Sequence, residues 1–209
     1  MLDINIFIED FTTKFHGLEH EYPWQITNNL IQLIEELIPE LGDAYKIENG
    51  VAIHESATVE SGVVFKSPTI IMENCKVGAN AYFREGVILD KAVNIGAGCE
   101  IKSSFICSNT AIAHFNYIGN SIIGHDVNFE AGSIAANHYN ERDVKEISVK
   151  VGEVIIQTHS KKFGALVGDG SKIGANAVLS PGTILERNSM VKRLELIEQV
   201  KYSQSGNRS

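Results

Sequence analysis

The stretch CKVGANAYFREGVILDKAVNIGAGCEI, residues 75–101, places an apolar side chain at every sixth position: Val77, Phe83, Leu89, Ile95 and Ile101. Small or branched partners follow each by four, at Ala81, Val87, Val93 and Cys99. Working outward, the beat extends back without a slip through Ile71, Phe65, Val59 and Ile53. It continues forward, with one-residue slips, through Ile106, Ile112, Ile118, Ile123 and Phe129. It stops near Ala135 and returns at Val167, Ile173, Leu179, Leu185 and Val191. An α-helix repeats near 3.6 residues and a half-buried strand at two, so neither produces a beat of six. A parallel β-helix does: short strands joined by tight turns stack like side chains coil upon coil at roughly 4.8 Å. Gly and Asn in "VGAN", "IGAG" and "IGAN" supply the left-handed turn conformations. The fold class expected is therefore mainly β, a hexapeptide-repeat solenoid.

Residues 1–50 lack the beat. Trp24, Leu30, Leu33, Ile34, Leu37, Ile38 and Leu41 instead recur at helical spacing, with Pro23 at the start and Pro39 near the end. This predicts an N-terminal helical appendage that caps the open end of the solenoid or packs on a neighbouring subunit. Residues 51–197 form the solenoid, interrupted at about 138–164 by an insertion with a hairpin pattern around "ISVKVGEVII". Residues 198–209 read as a flexible polar tail.

A net charge of −8 with no Lys/Arg cluster argues against a nucleic-acid partner and leaves small anions open. No apolar run is long enough to span a membrane and no leader is evident, which gives a cytoplasmic expectation. Cys75, Cys99 and Cys107 are an odd set without metal-type spacing and read as reduced thiols.

If three hexapeptides close one coil, residues eighteen apart lie above one another. Lys66, Arg84 and Lys102 then form a column of cations, which is either a solvated stripe relieved by Glu85 and Glu100 or an anion site. His114 falls within one coil of that column. A histidine suits proton abstraction near neutral pH, yet His114, like His54, His125 and His159, also reads as a satisfied turn residue. Asn128 and Asn137 read equally as turn asparagines or as amides that orient a ligand.

The segment HFNYIGNSIIGHDVNFEAGSIAAN, residues 114–137, resembles the acetyltransferase domain of bifunctional N-acetylglucosamine-1-phosphate uridyltransferase/glucosamine-1-phosphate N-acetyltransferases. The insertion and KKFGALVGDGSKIGANAVLSPGTIL, residues 161–185, are similar to the matching domain of archaeal sugar-1-phosphate nucleotidylyltransferase/acetyltransferases. The likeness spans residues 53 to 192 and implies a left-handed β-helix that works as a homotrimer, with sites in the clefts between subunits. It implies acetyl transfer from acetyl-CoA to the amine of an amino-sugar phosphate, with no metal and with nucleotidyl transfer supplied by a separate partner. Carried across by position, His114 is the general base, Arg84 and Lys102 hold the phosphate, Lys162 lies beside it, and Tyr117 and Asn128 contact the sugar. Ala131, Asn137, His138 and Ala175 fall on the acetyl-CoA side. Three of these neighbours depart from the family pattern: His138 stands for a tyrosine, Glu130 for a glycine and Ala175 for a serine. Lys66 has no counterpart, and Lys192 and Arg193 are unassigned candidates for the CoA phosphates. Two other classes fit part of the pattern: a zinc enzyme using His114, His125 and His138, and a non-catalytic scaffold that binds a sugar nucleotide or a partner enzyme.

Overall fold

The structure is a computed structural model and describes residues 2–15, 17–18 and 20–201. Its centre is a left-handed parallel β-helix of about eight turns. The second of its three faces shows the stacking most simply. There Thr58 pairs with Lys76 and Lys76 with Asn94, then Asn94 with Ala111 and Ala111 with Asn128. The first coils thus repeat every eighteen residues and the next two every seventeen, which is where the sequence beat slips. Asn128 then pairs with Lys172 across the insertion, and Lys172 with Met190 restores the step of eighteen.

The apolar beat points inward. Val77, Phe83, Leu89, Ile95, Ile101, Ile106, Ile112, Ile118, Ile123 and Phe129 are essentially inaccessible and form one continuous core with Val167, Ile173 and Leu179. Each such side chain contributes about 1.5–3 kcal/mol on burial, so the column carries the solenoid. Cys75 and Cys99 are buried in this core, Cys107 is buried on the outer side of the first face, and burial pushes the Cys75 thiol up to about 11.

The first face is apolar outside as well as inside. Ala52, Ile70, Ile88, Phe105, Ile122, Leu166 and Ile184 point outward and are buried by the N-terminal segment and the insertion. The N-terminal segment comprises α1 (Phe11–Lys14), α2 (Pro23–Asn28) and α3 (Leu30–Leu37), and the single helix expected from its pattern breaks at Asn29. The helices lie along the flank of their own solenoid, and Tyr45–Glu48, at the end of the same segment, pairs antiparallel with Val51–His54 and covers the edge of the first coil there. The helices take the flank because of that outward apolar column, which would otherwise be exposed along the whole first face.

The insertion forms the expected hairpin, Ser148–Val151 with Val154–Gln157. Its root is tied to the last coil: Arg142 pairs with Glu198 at 2.6 Å, and the Gln199 side chain bonds both backbone groups of Ile184 at 2.7 and 2.8 Å. The expected flexible tail therefore begins with anchored residues, and positions 202–209 lie outside the described residues. No helix among the described residues is long and apolar enough to cross a membrane.

Candidate active site

Two corners of the triangle collect the residues singled out by the sequence. The corner joining third and first faces receives Arg84 and Lys102, which the register places side by side on adjacent strands. Lys66 lies one coil below, exposed, with its amide bonded to the Phe83 carbonyl. Lys102 is almost wholly inaccessible, its side chain 4% exposed, and its ammonium meets Glu85 Oε2 at 2.6 Å and Asn120 Oδ1 at 3.2 Å. Arg84 bonds Glu85 through Nη1 at 2.6 Å and Glu100 through Nε at 2.7 Å.

The network continues upward. Asn137 donates to Asn120 Oδ1 at 2.6 Å and also hydrogen-bonds Tyr117, so a chain of polar contacts runs from Glu100 to Tyr117. Lys162, exposed where the insertion rejoins the solenoid, adds its charge to Glu85 and Lys102. Burial lowers the Lys102 ammonium below its ordinary range, an effect opposed by the bond to Glu85 and reinforced by Lys162 and Arg84. Burial would raise the Glu85 carboxyl, but Lys102, Lys162 and Arg84 more than offset it and hold it below the usual carboxylate range. Burial, with Glu100 and Glu85 nearby, keeps the Tyr117 hydroxyl above its ordinary range despite Arg84 and Asn137, leaving it a neutral donor.

The second corner, joining second and third faces, carries His114, Ala131 and Ala175 in one stack. The His114 carbonyl accepts the Gly132 amide at 2.9 Å, and the Ala131 carbonyl accepts the Asn176 amide at 3.0 Å. The His114 ring is exposed and has no hydrogen-bond partner among the described residues. Glu130 takes the Ala175 amide at 2.8 Å and grips Arg193 with both oxygens at 2.8 Å. The Arg193 hydrogen bonds, then the Ala175 amide, bring the Glu130 carboxyl down to about 2. Glu60 takes the Ala79 amide at the same repeat position, so the Glu130 to Ala175 bond is a stitch of the scaffold that here also engages Arg193.

Asn128 stands apart from both groups, exposed on the second face between Ala111 and Lys172. His138 is exposed at the first-named corner, its Nδ1 3.3 Å from the Lys161 carbonyl. Asn137, expected on the acyl side, bonds Asn120 and so touches the cation network. Within the chain His114, His125 and His138 occupy three different corners, with His125 bonded to Ser108 at 2.7 Å, so the zinc alternative would need histidines from adjacent subunits. Among the described residues no group of three or more candidate ligands is placed to hold a metal ion.

Two members were missed by the sequence reading. Asn120 follows Gly119, which the register stacks on Lys102 across a coil of seventeen, and its side chain reaches the Lys102 ammonium from there. Gly119 was not signalled at all: a Cβ there would stand 2.6 Å from the Tyr117 hydroxyl and 2.9 Å from the Asn137 amide. Gly119→Ala is therefore expected to cost about 1–3 kcal/mol by overpacking, read from the urea midpoint. Adding Tyr117→Phe, which removes the crowded oxygen, should restore part of it; no restoration would place the strain elsewhere.

Comparison with known proteins agrees with this architecture. A family model described as the GMPPB C-terminal domain matches residues 47–155, and one described as the hexapeptide repeat of succinyl-transferase matches residues 164–192. The chain belongs to the GMPPB C-terminal domain family, within the hexapeptide-repeat proteins. Among curated relatives, a bifunctional sugar-1-phosphate nucleotidylyltransferase/acetyltransferase of Sulfurisphaera tokodaii is 33% identical, covering 88% of this chain and 51% of that protein. The bifunctional protein GlmU of Methanococcus vannielii is 33% identical over 86% of this chain and 45% of its own length, and that of Streptococcus uberis 34% over 71% and 31%. The chain thus spans about half or less of the length of these relatives. A solved structure, PerB from Caulobacter crescentus in complex with CoA and GDP-perosamine, is 15% identical over 67% of this chain and 50% of that one. Its TM-score of 0.24 lends it no weight here.

Proposed function

We propose that the chain is a CoA-dependent N-acetyltransferase that acetylates the amine of an amino-sugar phosphate. The observation that carries this reading is the convergence at one corner of a buried Lys102, Arg84 and Lys162 beside the Tyr117–Asn137–Asn120 network. A buried ammonium with fixed hydrogen-bonding neighbours, flanked by two more accessible cations, is suited to a compact anion such as a sugar phosphate, and neutral amides and a phenol to the hydroxyls of a sugar. The names of the relatives, which pair sugar-1-phosphate nucleotidyl transfer with acetyl transfer, point the same way.

In this mechanism the His114 imidazole accepts a proton from the sugar amine as the nitrogen attacks the acetyl-CoA carbonyl. The tetrahedral intermediate collapses with cleavage of the C–S bond, and the CoA thiolate leaves to be protonated. The products are the N-acetylated sugar phosphate and free CoA. His114 and the cations occupy different corners of one chain, separated by strand Tyr117–Gly119, which supports a site completed by an adjacent copy in a homotrimer. Asn128, alone on the second face, would then meet the sugar from the neighbouring subunit.

The reading is tested by free CoA thiol release from acetyl-CoA with a panel of amino-sugar 1-phosphates, beginning with glucosamine-1-phosphate. Arg84→Ala, which removes one charge-assisted contact of about 1.5–3 kcal/mol, should raise the acceptor KM roughly 10- to 100-fold with kcat little changed. A second reading is a sugar-phosphate-binding scaffold without turnover. Glu130 favours it, because it already holds the Ala175 amide and Arg193, on the side assigned to acetyl-CoA. Binding of the sugar phosphate without thiol release from any acyl-CoA would decide for the scaffold.

A further inference from the structure

We propose that Glu85 is a built-in substitute anion that competes with the acceptor's phosphate for Arg84 and Lys102 and thereby sets the affinity of the site. The inference rests on the reading of these cations as a phosphate clamp. Glu85 Oε1 lies 2.6 Å from Arg84 Nη1 and Oε2 2.6 Å from Lys102 Nζ, so its two oxygens bridge the cations as two oxygens of a phosphate would. The backbone is committed to this placement. Glu85 sits at the irregularity between Arg84 and Val87, in the left-handed region at φ +57°, and its carbonyl accepts the Ser103 hydroxyl at 2.8 Å. The same left-handed conformation recurs at Ser103 (φ +43°) and Asn120 (φ +44°) on the next two coils, so the corner geometry of the solenoid imposes it.

Exposure separates the two partners. The Lys102 side chain is 4% exposed and would be an uncompensated buried charge if the corner held no anion, whereas the Glu85 side chain is 45% exposed and has room to turn out to solvent. The charge count points the same way. Arg84, Lys102 and Lys162 face Glu85 and Glu100, three cations against two carboxylates, for one net positive charge. With Glu85 turned out the excess is two, which matches a phosphate monoester of about −1.5 to −2. Glu85 thus keeps the empty site folded, and a ligand must bring enough charge to replace it.

The test compares wild type with Glu85→Gln in thermal unfolding and in calorimetric titration, using inorganic phosphate as the probe. Without phosphate the variant should melt a few degrees lower, and phosphate should raise its Tm by more than it raises that of wild type. Its Kd for phosphate should fall about tenfold, while Glu153→Gln, at the exposed hairpin tip, behaves as wild type. If Glu85→Gln fails to fold, Glu85→Asp, one methylene too short to bridge both cations, should give an intermediate gain. Unchanged or weaker phosphate binding in the Glu85 variants, with Arg84→Ala still weakening it, overturns the inference and leaves the clamp standing. No phosphate response in any protein overturns both.

Discussion

Replacing His114 by alanine lowers kcat for thiol release by about 10²- to 10⁴-fold, the usual contribution of a positioned general base. The solenoid should be unaffected, because nothing in the fold leans on the imidazole. The ring is exposed at the second-to-third corner, and what the residue contributes to the turn is its carbonyl, which accepts the Gly132 amide at 2.9 Å and the Asn116 side chain at 3.3 Å. Both bonds survive in alanine, so the stability change should stay within about 0.5 kcal/mol. The acceptor KM should also hold, since the phosphate grip lies at the other corner. The measurement is kcat and KM beside a urea unfolding curve, and turnover at the wild-type rate would remove His114 from the mechanism.

The residues that were legible in sequence are those whose position follows from stacking alone. Arg84 and Lys102 pair in register because no slip separates them, and the slips after Ile101 correspond to coils of seventeen. Glu85 was visible only as a nearby acid. Its turn into the clamp depends on a left-handed corner that recurs at Ser103 and Asn120 on the next two coils, and the beat of apolar residues does not report where that corner aims a side chain. The resemblance assigns Asn137 to the acetyl-CoA side, whereas its contact with Asn120 depends on how the corner folds over Lys102 and is not carried by any motif. The docking of the N-terminal helices did leave a trace. Ile70, Ile88, Phe105, Ile122, Leu166 and Ile184 each immediately precede a residue of the inward column, and strands apolar on both sides are strands covered on both sides. The helical pattern of residues 23–41 was legible; its partner surface required reading that second column.

Phe105→Ala is expected to destabilise the protein by about 3–5 kcal/mol, the range for deleting a buried ring that leaves a cavity. Phe105 is inaccessible, faces outward on the first face between Ile88 and Ile122, and meets the rings of Phe11 and Phe15 edge-on at 5.2 and 4.4 Å. In a solenoid each coil is held chiefly by its neighbours, so a loss on the outer side need not propagate along the inner column. The helices should therefore loosen first: amide protection in α1 to α3 should fall by more than protection in Asn94–Ile95 or Ala111–Ile112, whose face carries none of the N-terminal core. Phe105→Leu should recover most of the loss. Equal loss of protection in helices and second face would mean that the two layers unfold as one cooperative unit. The same variant asks whether the helices serve the site, because Phe105 shares strand Glu100–Ile106 with Lys102, and Ser103 beside it holds the Glu85 carbonyl. An acceptor KM that shifts with Phe105→Ala but not with Phe105→Leu would show that the packed flank sets the position of the clamp.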